Sequence, residues 1–147
     1  MDTTFMAILE AAYPNEKARY FPPMSIGSTA ADADEGAALI LEGTKTATSS
    51  PFWAYPDGRI PFVGALSVLL DGRRVPRGIV ETGRIEIMRF GSVNAGLARE
   101  YGEGPRTLEW WLRVMGGFYR ASAERHGMVF TDDTEIICEW FAVARRL

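Results

Sequence analysis

Residues 64–87, GALSVLLDGRRVPRGIVETGRIEI, decide the fold class. Leu66, Val68 and Leu70 recur with the two-residue period of a strand, and Asp71-Gly72 supplies a hairpin turn. A second, longer strand follows from about residue 75 to residue 90, so the pair is antiparallel. Strict alternation along that second strand places Glu81 on the face of Ile79, Ile85 and Ile87, aimed at the core, where a carboxylate needs a cation or a water-filled cleft. Downstream, Gly91 breaks the strand, a short helix covers about residues 93–100, and Leu108, Trp111, Leu112, Met115 and Phe118 mark an amphipathic helix reaching towards His126. The closing segment, residues 135–143, is apolar on both faces except at Glu139, the pattern of a central strand.

Upstream lie an opening helix over residues 3–12, a proline-containing connection, and a second helix with Ala33, Ala37, Ile40 and Leu41 at helical spacing. Ser28 or Thr29 caps its start, and Gly43 suits the position just past its end. Helices before, between and beside antiparallel strands define an α+β domain whose distant strands can close into a small barrel. The 147 residues, 47% hydrophobic and 12% aromatic, fit one domain, residues 1–147, with residues 1–24 forming a helix and connection that pack on the rest.

Composition excludes several classes. The net charge of −3 argues against a large phosphate-tracking surface, although Arg73, Arg74, Arg77, Arg145 and Arg146 can supply a basic edge. No apolar run approaches the roughly 20 residues of a membrane helix, and the lone Cys138 has no internal disulfide partner, so a cytoplasmic protein with no membrane association is expected. One histidine and one cysteine do not make a zinc site, and no phosphate-binding loop, dinucleotide fingerprint or nucleophile elbow is present. No metal or cofactor is expected.

Chemistry concentrates in two places. Gly43-Thr44-Lys45-Thr46-Ala47-Thr48 sets a lysine and three hydroxyls where a helix ends and a strand begins, and such a junction can hold an anion or a carbonyl oxygen. In Tyr101-Gly102-Glu103-Gly104-Pro105-Arg106, two glycines and a proline fix an acid beside Arg106 just before the long helix. A carboxylate opposed to Lys45 can activate water, with Thr46 or Thr48 orienting the reacting group. In an ideal strand Lys45 and Thr48 point to opposite faces, so both serve one cleft only if Lys45 precedes the regular pairing or a bulge intervenes. Phe52, Trp53 and Tyr55 follow directly, as faces on which a base can stack, and Glu139 joins Glu81 as a second acid inside a strand.

These segments, together with AREYGEGPRTLEWW and ICEWF in the same order, resemble the ASCH domain in its longer bacterial form, from about residue 25 to the C-terminus. The resemblance implies a small PUA-like β-barrel, mainly antiparallel, with flanking helices and a cleft that takes RNA or a modified nucleoside. It also implies two activities seen among members, amide hydrolysis of N4-acetylcytidine and cleavage of single-stranded RNA. By position in the Gly-x-Lys-Thr-x-Thr motif, catalytic roles fall on Lys45 and Thr48, and the catalytic glutamate falls on Glu103, with Glu100 as the neighbouring choice. Thr46, Trp53, Tyr55, Glu81, Arg106 and Glu139 are the expected ligand-binding residues. One departure is visible: Ile26-Gly27-Ser28-Thr29 stands where longer-form members carry Phe-Gly-Asp-Ser. The function expected is binding of RNA or a nucleoside around Lys45, with hydrolysis as the alternative.

Overall fold

The computed structural model describes residues 2–147. Helix α1 (Thr3–Ala12) is capped by the Asp2 carboxylate, which accepts from the Thr4 amide. Helix α2 (Ala30–Leu41) is capped by Thr29, whose hydroxyl accepts from the Asp32 amide, which settles the choice between Ser28 and Thr29. Strand β1 (Ala47–Pro51) follows, then β2 (Leu66–Leu70), β3 (Pro76–Arg89), helices α3 (Ala95–Tyr101) and α4 (Leu108–Arg125), and β4 (Glu135–Arg146). Asn94 and Thr107 cap α3 and α4 in the same way as Thr29 caps α2.

The four strands form one antiparallel sheet in the order β1-β4-β3-β2. The last strand in sequence is therefore central, as its two-sided apolar pattern requires. Beside β2 the chain at Tyr20 and Met24 runs parallel, with the Phe21 and Met24 amides donating to the Leu66 and Val68 carbonyls, and so covers the sheet edge. The β2–β3 turn spans Asp71 to Val75, where the Asp71 carboxylate accepts from the Arg73 and Val75 amides.

Strand β3 departs from simple alternation. Its register with β4 shifts between Ile79 and Val80 and again between Thr82 and Arg84. Ile79 and Val80 lie on opposite faces and are both buried because each face is covered: Ile79 packs with Leu66, Val68, Phe5 and Leu9 under α1, and Val80 packs with Leu69, Phe141, Ala37 and Ile40 under α2. The inward placement expected of Glu81 does not hold. Glu81 keeps the face of Ile79, opposite Leu66, but that face is open to solvent at its position, and the bulge at Gly83 turns Ile85 and Ile87 to the other face. The Glu81 carboxylate is half exposed and pairs with Arg19 at 2.9 Å, while Thr82 takes the buried position and Ile87 is exposed. A third cluster joins Ala47, Ile136 and Cys138 of the sheet to Leu97, Tyr101, Trp111, Met115 and Tyr119 of α3 and α4.

Candidate functional site

Register builds the floor of the site. Thr48 opposes Glu139, and Ser50 opposes Ile137, so Thr48, Ser50 and Glu139 share one face of the sheet. Across β3 and β2 that face continues through Thr82 and Ser67, with Ile137 and Ile85 beside the polar groups, until Leu69, Val80 and Phe141 close it against α2. A cleft of about 890 Å³ stands on this floor. Trp53, Tyr55, Trp110 and Phe118 wall it, with Arg59, Arg125 and His126 also lining it. Trp53 is fixed by its indole N–H, which donates to the Ser122 hydroxyl at 2.9 Å, and Phe21 packs on the Tyr55 ring.

At one end of the cleft stands an ion pair. As the chain leaves α2, the amides of Thr44 and Lys45 both donate to the Leu39 carbonyl, so Lys45 sits on the helix cap and precedes β1. It is therefore free of the alternation that binds Thr48. Its ammonium lies 2.8 Å from the Glu103 carboxylate, donates to the Tyr101 carbonyl and rests 3.4 Å from the centre of the Tyr101 ring. Gly102 makes this possible. With φ at +72° it caps α3, and a side-chain carbon there would meet the Thr44 carbonyl oxygen at 2.4 Å. Gly104 likewise lies against the Trp110 ring with no room for a side chain. The two glycines thus press the Glu103 loop onto the Lys45 strand entry.

The Lys45 side chain is completely buried and does not itself line the cleft; Tyr101 and Glu103, which cover it, do. Burial pushes Lys45 down from its ordinary 10.5 to about 8, against the opposing pull of Glu103. Burial likewise raises the Tyr101 phenol, whose hydroxyl meets Ser49, which in turn bonds the Tyr119 hydroxyl. Glu139 sits at 6% exposure on the floor, where the Thr82 hydroxyl donates to its carboxylate at 2.5 Å, and burial raises its pKa.

Residues 23–145 match the ASCH domain family over most of the chain. The chain belongs to the ASCH domain family. Its fold is that of solved relatives: an ASCH domain from Lactobacillus crispatus JV V101 superposes with a TM-score of 0.83 at 23% identity, covering 97% of this chain and 93% of that one. A protein from Enterococcus faecalis V583 gives 0.81 at 23% identity, covering 96% and 85%. Among curated proteins none matches. The PUA-like β-barrel expected from the sequence is present as a curled, half-barrel sheet with four helices.

The ASCH domain brings some of the expected site residues together and leaves others outside. Thr48, Trp53, Tyr55, Glu103 and Glu139 line one cleft, with Lys45 behind Glu103. Thr46 does not line it, since its amide and hydroxyl both meet the Glu100 carbonyl and clip β1 to α3. The Glu100 carboxylate accepts from the Trp140 indole, so Glu103 is the acid that meets Lys45. Arg106 turns away to donate to the Arg99 carbonyl, and Glu81 faces Arg19. Neither lines the cleft.

Sequence reasoning missed Trp110, Phe118, Arg59 and Arg125. The signal for the first two was present: Trp110, Val114, Phe118, Ser122 and His126 recur every four residues along α4 and its end, and all line the cleft, one step round from the core stripe of Trp111, Met115 and Tyr119. Arg59 had no such signal. It is placed by tertiary contacts, donating to the Tyr20 carbonyl and covering the Phe21 ring. Asp32, in the first turn of α2, lines the cleft and accepts from the Ser28 amide. Among the described residues no acid, histidine and cysteine cluster could hold a metal, and no helix is long and apolar enough to cross a membrane.

Proposed function

We propose that this ASCH domain binds a nucleoside, or a short single-stranded stretch of RNA, in the cleft between the Lys45–Glu103 pair and the aromatic walls. The observation that carries this reading is the pairing of flat aromatic side chains, Trp53, Tyr55 and Trp110, with a floor of hydroxyl and carboxyl groups. Aromatic faces stack on a base, at about 1–3 kcal/mol each, and the polar floor meets its edge. The volume falls within the roughly 300–1,000 Å³ of small-molecule sites. A cytoplasmic setting accords with the single, buried Cys138, whose thiol burial pushes up to about 12.

Titration of intrinsic tryptophan fluorescence with cytidine, N4-acetylcytidine and a short single-stranded RNA tests the reading. Saturable quenching that weakens in Trp110→Ala supports it; folded protein that responds to none of the three ligands overturns it.

A second reading, hydrolysis, is favoured by one observation: Glu103 presents a carboxylate to the cleft while Lys45 holds it from behind. In this reading Glu103 takes a proton from water and the resulting hydroxide adds to the acyl carbon of an N-acylated base. The carbon–nitrogen bond then breaks, and the proton passes to the departing nitrogen, leaving an amine and a carboxylate. Thr48 steers the carbonyl oxygen from the floor, and Lys45 acts by positioning Glu103. Release of cytidine and acetate from N4-acetylcytidine, lost in Glu103→Gln, is the expected result. Absence of both products with a ligand that demonstrably binds sinks this reading and leaves the binding one.

A further inference from the structure

Glu139 is an acid without a cation. Among the described residues no lysine, arginine or histidine nitrogen lies within 4 Å of its carboxylate, although it is almost fully buried. Its one hydrogen bond comes from Thr82, at a distance in the 2.5–2.7 Å range of a hydroxyl held by a charged oxygen. A buried carboxylate so placed has acceptor capacity left over, and the oxygen that Thr82 does not hold has no partner of its own. It sits on the cleft floor directly opposite Thr48, beneath the aromatic walls. The rest of the lining does not relieve it: Asp32, Glu35, Asp57 and Glu103 add negative charge, and the positive charge of the lining is confined to Arg59 and Arg125.

We propose that Glu139 selects the ligand by its edge: the cleft takes a flat group that presents two adjacent N–H donors to the Glu139 carboxylate, as the Watson–Crick edge of guanine or an amidinium does. This deepens the binding reading and rests on it for the identity of the flat group. The chemistry is that of a planar donor pair on a planar acceptor pair, which gives direction as well as attraction. Thr82 positions the carboxylate by occupying one oxygen. Burial, which raises the pKa of the free group, marks how far the site lacks a partner. A base such as uracil, with one N–H between two carbonyls, sets an acceptor against the carboxylate and is rejected.

The experiment titrates wild type and Glu139→Gln with guanosine, inosine, uridine and the amidinium benzamidine, by calorimetry and fluorescence. Glu139→Gln keeps an oxygen for Thr82 and replaces the other acceptor by a donor, and a thermal melt of each protein checks that it is folded. For wild type, guanosine binds about tenfold or more tightly than uridine, the discrimination expected of one good bidentate contact. Inosine, which lacks one donor, falls between. In Glu139→Gln the guanosine-to-uridine ratio collapses to within about twofold, by the same reasoning. Thr82→Val, which frees the carboxylate to turn, lowers the ratio while leaving weak binding of both. Nucleosides that bind without preference, unaffected by Glu139→Gln, overturn the selection and leave the binding reading standing. Benzamidine binding that depends on Glu139 while no nucleoside binds upholds the selection and overturns the nucleoside reading. Binding of none of the four overturns both.

Discussion

Glu103 and Glu139 present carboxyl groups to the same cleft, yet the first is held 2.8 Å from a lysine ammonium and the second meets only a threonine hydroxyl. The difference lies in the backbone. Gly102 and Gly104 let a loop settle on the entry to β1, so that Lys45 and Glu103 complete one another inside the protein. Glu139 belongs to a central strand, where register decides what it faces: Thr48 on one side and Ile85 on the other, with the Thr82 hydroxyl reaching it diagonally. One carboxylate is finished by the fold, and the other is left for a ligand to finish. Stability and binding therefore separate between the two ends of the floor.

The largest effect is expected at the finished end. Glu103→Gln leaves the fully buried Lys45 without its counter-charge and destabilises the protein by about 3 kcal/mol, read as the free energy of urea unfolding near neutral pH. A loss below about 1 kcal/mol would erase the contrast between the two acids.

The pH dependence of the same pair sharpens the point. Lys45 holds its proton less tightly folded, at about 8, than its ordinary 10.5. Between those values the unfolded chain binds more protons, so this lysine's contribution rises with pH and is absent below about 8, where both states are protonated. Relative to Lys45→Met, wild type gains stability from about pH 8 upward, by at most about 3 kcal/mol. The comparison with the variant is needed because the buried phenols of Tyr101 and Tyr119 and the Cys138 thiol, all raised, work in the opposite direction at high pH.

The unfinished end reverses the sign with a smaller magnitude. Glu139→Gln removes a buried charge that has no cation and stabilises the free protein by about 1 kcal/mol at neutral pH, a Tm rise of a few degrees. Because burial raises Glu139 above its ordinary 4.5, wild type loses stability as pH rises beyond that value, and the advantage of the variant disappears below it. Equal destabilisation in Glu139→Gln and Glu103→Gln would show both acids to be structural.

How much of this could be read from the chain differs residue by residue. The Lys45–Glu103 pair was legible because its signals are local: a glycine ending a helix, a lysine just beyond it, and an acid between two glycines. The helices were legible from caps and period, and β4 from its double-sided apolarity. Glu81 was misread because the face it shares with Ile79 is open to solvent at its position and the bulge at Gly83 puts Ile85 and Ile87 on the other face; the glycine inside the strand was the local sign of that bulge. Thr46 and Thr48 could not be told apart until the start of β1 was fixed. The parallel edge at Tyr20 and Met24, and with it Arg59, depends on long-range contacts that no local pattern encodes.

The cleft itself has a direct test in its tryptophans. Trp53 and Trp110 line it, whereas the Trp111 indole N–H is buried in the core without a partner among the described residues and that of Trp140 is held by Glu100 at 3.0 Å. In a 15N-labelled protein the four indole N–H resonances therefore report separately on cleft and surroundings. On addition of a nucleoside or a short RNA, the Trp53 and Trp110 signals shift in a saturable way while those of Trp111 and Trp140 stay in place. Ligand-induced shifts confined to Trp140 or Trp111, or no shift at any of the four, would contradict the account.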